Sequence, residues 1–245
     1  MMRTALVTGA NSGIGEATAT ALVEHGHRVI CSGRKPEALA ALAGKLGENA
    51  LALTLDISDP DSVDSMFHRL PPAWHCVDAL VNNAGHDRGG RRKFHELSME
   101  DVTSVIQTNL LGTTRVTHKV MQGMVERGRG HIINVGSVQG LYAYRKATIY
   151  TATKFAIHGF SESLRLDYAD TNIRVTEIMP GLVRTQFAAN RWGDDASADA
   201  FYAKFDNWLR PQDVANAVQY ALAQPAHVDV AQLVLQPAGR DTPAD

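Results

Sequence analysis

Thr8-Gly9-Ala10-Asn11-Ser12-Gly13-Ile14-Gly15 is the stretch that decides the fold. It sits between a short apolar run, Thr4–Thr8, that reads as a strand, and residues 12–25, whose apolar spacing is helical. Glycines at such a junction permit a tight turn and a close approach of backbone to a pyrophosphate. The free amides and dipole of the helix N-terminus then attract that anion. The glycine spacing is GxxxGxG rather than GxGxxG, and a Gly-rich turn can also be plain punctuation. Its place at the first strand–helix junction favours nucleotide binding.

The same alternation runs outward from this turn. Strands are predicted at 28–32, 50–55, 79–81, 131–135, 174–179 and 230–235, with helical segments at 38–46, 98–127, 149–168 and 211–222. Ser58, Asp59 and Pro60 look like a helix start, as does Ser98 with Asp101 in the capping-box position. Alternating strands and helices imply parallel βαβ units covered on both faces. With no repeat, low-complexity tract or linker, residues 1–245 read as one doubly wound α/β domain.

The second strand ends in Ser32-Gly33-Arg34-Lys35. An acid there would hold the ribose 2′-hydroxyl of NAD, whereas Arg accommodates the 2′-phosphate of NADP. No acid is present, so Arg34, with Lys35 and Ser32 beside it, points to NADP. A solvated pair in a surface loop is the alternative.

Tyr150 and Lys154 stand at i and i+4 on one predicted helix and therefore share a face. A tyrosine of ordinary pKa, near ~10, is a poor base at neutral pH. A nearby ammonium, with the positive ring of an oxidised nicotinamide, favours phenolate. Ser137, just after the fifth strand, is placed to hydrogen-bond a substrate oxygen. The YxxxK spacing alone is common and gains force only from its company.

That company is ordered. TGANSGIG (Thr8 to Gly15), NNAG (Asn82 to Gly85), Asn109, Ser137, Tyr150 with Lys154, and Pro180-Gly181 follow one another along the chain. The sequence resembles the short-chain dehydrogenase/reductase family over essentially its whole length. The resemblance implies a seven-stranded Rossmann sheet in one domain, a homotetramer, and catalytic roles for Asn109, Ser137, Tyr150 and Lys154. It implies that Asn109 holds a water in a proton relay and that Lys154 binds the nicotinamide ribose. Cofactor contacts would come from Gly9, Asn11, Ser12, Gly13, Ile14, Gly15 and Arg34, then from Asp56 and Ile57 near the adenine. The run Asn82, Asn83, Ala84 and Gly85 would line the cofactor path, followed by Pro180, Gly181, Val183 and Thr185. Within the family, SGRKPEAL (Ser32 to Leu39), GMVERGRGHIINVGS (Gly123 to Ser137) and QPAHVDVAQLVLQP (Gln224 to Pro237) resemble NADP-dependent 3-hydroxy acid dehydrogenases. Reduction of an uncharged ketone or aldehyde, an epimerase or lyase, and a non-catalytic dinucleotide sensor are the alternatives on the same fold.

His86-Asp87-Arg88-Gly89-Gly90-Arg91-Arg92-Lys93 follows NNAG and packs four cations into a chain of formal charge −2. With Arg145 and Arg184 it suggests an anionic substrate gripped by Arg145 or Arg184; a solvated surface run is the other reading. The aromatic-rich segment 184–208 could close as a lid or simply pack. The charge balance offers no case for nucleic acid or an anionic membrane. Two cysteines, Cys31 and Cys76, form no disulfide framework. Ten histidines include no HExxH or other metal spacing, and no apolar run approaches the ~20 residues of a membrane span. The expectation is a cytoplasmic enzyme without a metal.

Overall fold

A computed structural model describes residues 3–239; the ends of the 1–245 unit, including Met1 and Met2, lie outside the described residues. Seven parallel strands form one sheet: β1 Thr4–Thr8, β2 Arg28–Gly33, β3 Ala50–Thr54, β4 Ala79–Asn82, β5 Arg129–Val135, β6 Asn172–Pro180 and β7 Gln232–Leu235. Their order is β3-β2-β1-β4-β5-β6-β7. The helices are α1 Gly13–Glu24, α2 Pro36–Leu46, α3 Pro60–Asp64, α4 Met99–Ile106, α5 Thr113–Glu126, α6 Thr148–Asp167, α7 Phe187–Trp192, α8 Asp195–Tyr202 and α9 Pro211–Ala223.

Period-two alternation sends neighbouring strand residues to opposite faces. Ala5 and Val7 pack with Leu22 of α1, Leu39 of α2 and Val218 of α9. Leu6, between them, packs with Val116 and Met124 of α5. Both faces are therefore covered, which is why the strands read as nearly continuous apolar runs. Strand order reverses between β1 and β4, and at such a switch point the following loops diverge and leave a crevice.

The stretch expected as one helix over 98–127 is broken. Ser98 caps α4 through its hydroxyl, which accepts the Asp101 amide at 3.0 Å. The helix then passes through a π-helical segment, Gln107–Gly112, before α5 resumes. The apolar stripe runs on through both helices, so the sequence pattern does not reveal the local change in winding.

His131 of β5 is 2% exposed, and its Nε2 lies 2.8 Å from Thr176 Oγ1. Burial, then Arg174 and Arg3, push its pKa from 6.5 down to about 3. The folded value lies below the unfolded one, so only the unfolded chain takes up this proton between those pH values. Stability should be complete above about pH 6.5 and fall on acidification by up to ~1.4 kcal/mol per pH unit. Urea unfolding of His131→Gln from pH 7 to pH 4.5 should show a flatter dependence than the parent chain.

Candidate active site

The crevice at the β1/β4 switch is braced by side chains close to the two loops. Thr8 Oγ1 accepts the amides of Asn83 and Ala84, each at 3.0 Å. Asn83 Nδ2 donates to Thr8 O at 2.9 Å and to Gly9 O at 3.3 Å. Gly9 has φ +68° and Gly13 φ +57°, a region glycine enters without strain. A Cβ on Gly15 would collide with the Gly9 carbonyl. The glycines thus let the turn fold back on α1, leaving Ser12 at the helix start with no side-chain cap.

A cavity of about 910 Å³ extends from this turn to the other end of the sheet's C-terminal edge. Gly9, Asn11, Ser12, Gly13, Ile14, Arg34, Asp56, Ile57, Asn83, Ala84 and Gly85 line one end. Ser137, Tyr150, Lys154, Pro180, Gly181, Val183 and Thr185 line the other. Arg34 and Lys35 are exposed at the end of β2. Ser32 is turned inward, donating to Val7 O at 3.0 Å, so it offers nothing to a ligand. The Asp56 carboxylate accepts both the amide (2.9 Å) and hydroxyl (2.6 Å) of Ser58.

Three residues to which the family resemblance gives a role lie off the wall. Gly15 is buried beneath the turn, as the Gly9 contact requires. Asn82 is held within the sheet by Thr117 Oγ1 at 2.8 Å and Asn134 Oδ1 at 2.9 Å. Asn109, in the π segment, accepts the His86 amide at 2.9 Å and donates to His86 O at 2.9 Å and Thr153 Oγ1 at 3.3 Å. Its side chain is a strut under the loop after β4, and the π winding is what turns it that way.

At the catalytic end, Tyr150 is 9% exposed and its ring meets Phe187 edge-on, with centroids 5.7 Å apart. Lys154 Nζ donates to Val135 O at 2.8 Å and lies 5.5 Å from the Tyr150 ring centroid. The sequence reading has Lys154 hold the phenol acidic. In the chain itself burial dominates and, with Asp87, pushes Tyr150 up to about 12, against the smaller opposing pulls of Arg191, the Ser137 hydrogen bond and Arg91. Burial also brings Lys154 down to about 8, which Glu177 partly offsets. The protein's own groups therefore leave a protonated phenol at neutral pH.

The cationic expectation needs one correction. Arg184 is not on the cavity wall: it pairs with Asp199 at 3.0 Å and stacks over Trp208 at 4.7 Å. Arg145 is on the wall. Two further cations stand beside Tyr150: Arg91, from the cationic run after NNAG, and Arg191, which sequence reading missed. Both line the cavity, and both act electrostatically on Tyr150. Arg91 donates to Arg145 O at 3.3 Å, and its Nε is buried with no hydrogen-bond partner among the described residues. Arg191 pairs with Asp87 at 2.8 Å. In all, nine Lys and Arg residues line the cavity against one acid, Asp56.

Segment 182–209 folds over this end as α7 and α8 around a small core of Ala188, Ala198 and Tyr202. Its aromatics divide: Phe187, Trp192, Phe201, Tyr202 and Phe205 also line the cavity, whereas Trp208 only packs. Among the described residues no group of three or more His, Cys, Asp or Glu is placed to hold a metal ion. No described helix is long and apolar enough to cross a membrane.

A glycine-shaped turn at a switch point, joined by one cavity to a buried Ser–Tyr–Lys cluster, defines the class, and sequence comparison agrees. The family model for short chain dehydrogenases matches residues 3–196, and the chain belongs to that family. Its relatives include the NADP-dependent 3-hydroxy acid dehydrogenase YdfG of Salmonella typhi, 43% identical over 95% of this chain and 94% of that protein. The serine 3-dehydrogenase of Agrobacterium fabrum is 34% identical over 98% and 96%. Among solved structures, the closed form of a serine dehydrogenase complexed with NADP+ superposes with a TM-score of 0.91, at 40% identity, covering 95% of this chain and 94% of that one.

Proposed function

We propose that this chain is an NADP-dependent oxidoreductase that moves a hydride reversibly between the nicotinamide and a small, anionic 3-hydroxy acid or its carbonyl counterpart. The observation that carries the reading is the single cavity linking the Thr8–Gly15 turn to Ser137, Tyr150 and Lys154.

The residues fit such a cofactor. Gly9 and Gly13, both at positive φ, shape the turn for a pyrophosphate. Arg34 and Lys35 would meet the 2′-phosphate, with no acid beside them on that loop, and Asp56 and Ile57 would lie toward the adenine. Asn83, Ala84 and Gly85 line the path, and Lys154, Pro180, Gly181, Val183 and Thr185 would hold the nicotinamide ribose and ring. When bound, the nicotinamide supplies or accepts the hydride. Ser137 holds the substrate oxygen, and Tyr150 gives that oxygen a proton in reduction, the protonation state that burial already favours. In oxidation Tyr150 takes the proton, helped by the charges of Lys154 and the oxidised ring. Asn109 acts as a brace for this floor. Arg91, Arg145 and Arg191 supply the positive field that a carboxylate would meet. The working unit is the whole chain, residues 1–245, as a cytoplasmic homotetramer whose partners are small molecules rather than nucleic acid or membrane.

Steady-state kinetics on a panel of hydroxy acids, sulfonates, ketones and aldehydes test this directly. NADP should be preferred over NAD. Arg34→Ala should lower kcat/KM for NADP by about 10- to 100-fold, the loss of a charge-assisted contact, and leave NAD kinetics unchanged. A parent enzyme that turns over NAD more efficiently would remove the Arg34 assignment.

A further inference from the structure

Helix α6 carries Tyr150, Lys154, His158 and Glu162 at a constant spacing of four, hence as a stripe along one side. The first two line the cavity. The third meets an acid that the proposed chemistry does not use: His158 Nδ1 lies 2.8 Å from Glu177 Oε2. Glu177, on β6, is wholly buried, and its Oε1 has no hydrogen-bond partner among the described residues. That oxygen rests against Gly136, where a Cβ would collide with it. Gly136 directly follows Val135, whose carbonyl oxygen accepts Lys154 Nζ at 2.8 Å. The carboxylate and the ammonium therefore flank the same two residues at the end of β5. Each acts on the other's charge: Glu177 raises Lys154, and Lys154 lowers Glu177.

A buried carboxylate with an oxygen left unbonded is unfavourable, and a well-packed apolar side chain in its place would serve the fold better. Burial raises its pKa above the usual carboxylate range. His158, Lys154 and Arg165, all on α6, draw its pKa down against burial. Farther out, Glu162 lies 3.8 Å from His158 Nε2, and Asp229, ahead of β7, pairs with Arg165 at 3.9 Å. Opposite Glu177 in the sheet is the neutral Asn134, which accepts from Asn82 and donates to Ser161 at 2.8 Å. The cluster is connected from the cavity floor to the half-exposed Glu162.

We infer that Glu177, held by His158, is a positioning residue that keeps Lys154 protonated behind Tyr150. This rests on the proposed roles of Tyr150 and Lys154. With Glu177 neutralised, Lys154 loses its proton at lower pH, and Tyr150 loses the adjacent positive charge at working pH.

The experiment is an NMR titration of the full-length protein labelled at lysine Cε, with the Lys154 resonance assigned by its loss in Lys154→Arg. Lys154 should titrate near 8 in the parent chain and at least about one unit lower in Glu177→Gln, for removal of one nearby opposite charge. His158→Ala should shift it in the same sense, and His158→Gln, which still donates to Glu177, should recover part of the change. In parallel, kcat of Glu177→Gln should fall about tenfold at pH 8, less at pH 6.5, with KM for substrate unchanged. Equal Lys154 midpoints in the parent and Glu177→Gln overturn the inference. Should Glu177→Gln not fold, equal midpoints in the parent and His158→Ala overturn it. A parent chain that shows the Lys154 shift on mutation yet turns over no substrate supports the charge relation and removes the reaction reading instead.

Discussion

Tyr150→Phe is expected to lower kcat by about 10²- to 10⁴-fold, the range typical of losing a positioned proton donor, while dinucleotide binding stays close to that of the parent. The substitution is almost isosteric. The ring is buried and touches Phe187 edge-on at 5.7 Å, and a phenyl ring keeps that contact. What disappears is the hydroxyl, with its hydrogen bond to Ser137. Because burial pushes the phenol up to about 12, the site already disfavours its ionised form, and removing it should not weaken folding. The measurement pairs kcat with the dissociation constant for NADPH from quenching of protein fluorescence. A phenylalanine variant with parental kcat and an unchanged dissociation constant would take Tyr150 out of the reaction.

The features readable in the sequence are those whose geometry is local. Thr8 to Gly15 lies within one strand–turn–helix unit, so chain connectivity alone brings its amides together. Tyr150 and Lys154 share a helix, and 3.6-residue periodicity settles that they face the same way. Parallel pairing followed from the alternation because parallel connections need crossovers. Long-range pairings stayed hidden. Asp87 and Arg191 are far apart in sequence, and no periodicity links a loop after β4 to a six-residue helix in the lid. For the same reason Arg184 and Arg191 could not be told apart: both are arginines after Pro180-Gly181, and only the fold of α7 and α8 turns one toward Asp199 and the other into the cavity. Asn109 was legible as a residue but not in orientation, because the π segment alters the helix phase without altering the apolar stripe. His158 and Glu177 form a similar case, since nothing in β6 marks Glu177 as an inward-facing acid.

Arg191→Ala should loosen the lid. Arg191 and Asp87 form an ion pair at 2.8 Å with both side chains 7% exposed, and it joins α7 to the loop after β4. The guanidinium also lies over the rings of Phe187 and Trp192, each at 5.2 Å. Removing one partner of a buried pair costs about 3–5 kcal/mol, because the other charge is left without compensation. The lid's own core, Ala188, Ala198 and Tyr202, is too small to absorb that penalty. The response should be local opening of residues 182–209 rather than global unfolding, and hydrogen exchange should show protection lost in the peptides covering α7 and α8. Catalytic efficiency should fall in proportion to the population of the closed form, roughly 100-fold for a 3 kcal/mol shift. Two controls separate charge from packing. In Asp87→Asn/Arg191→Met neither member of the pair is left charged without the other, so most of the protection should return. In Arg191→Ala, acidification should also restore it. Burial already raises Asp87 above its usual range, while Arg191 and then Arg91 pull it down. Without Arg191 the closed lid raises Asp87 further, so protonation favours closing and closure gains strength as pH falls. Exchange measured against the parent chain at pH 7.5 and pH 5.5 reads this sign. If α7 and α8 in Arg191→Ala keep parental protection at both values, the buried pair is not what holds the lid down.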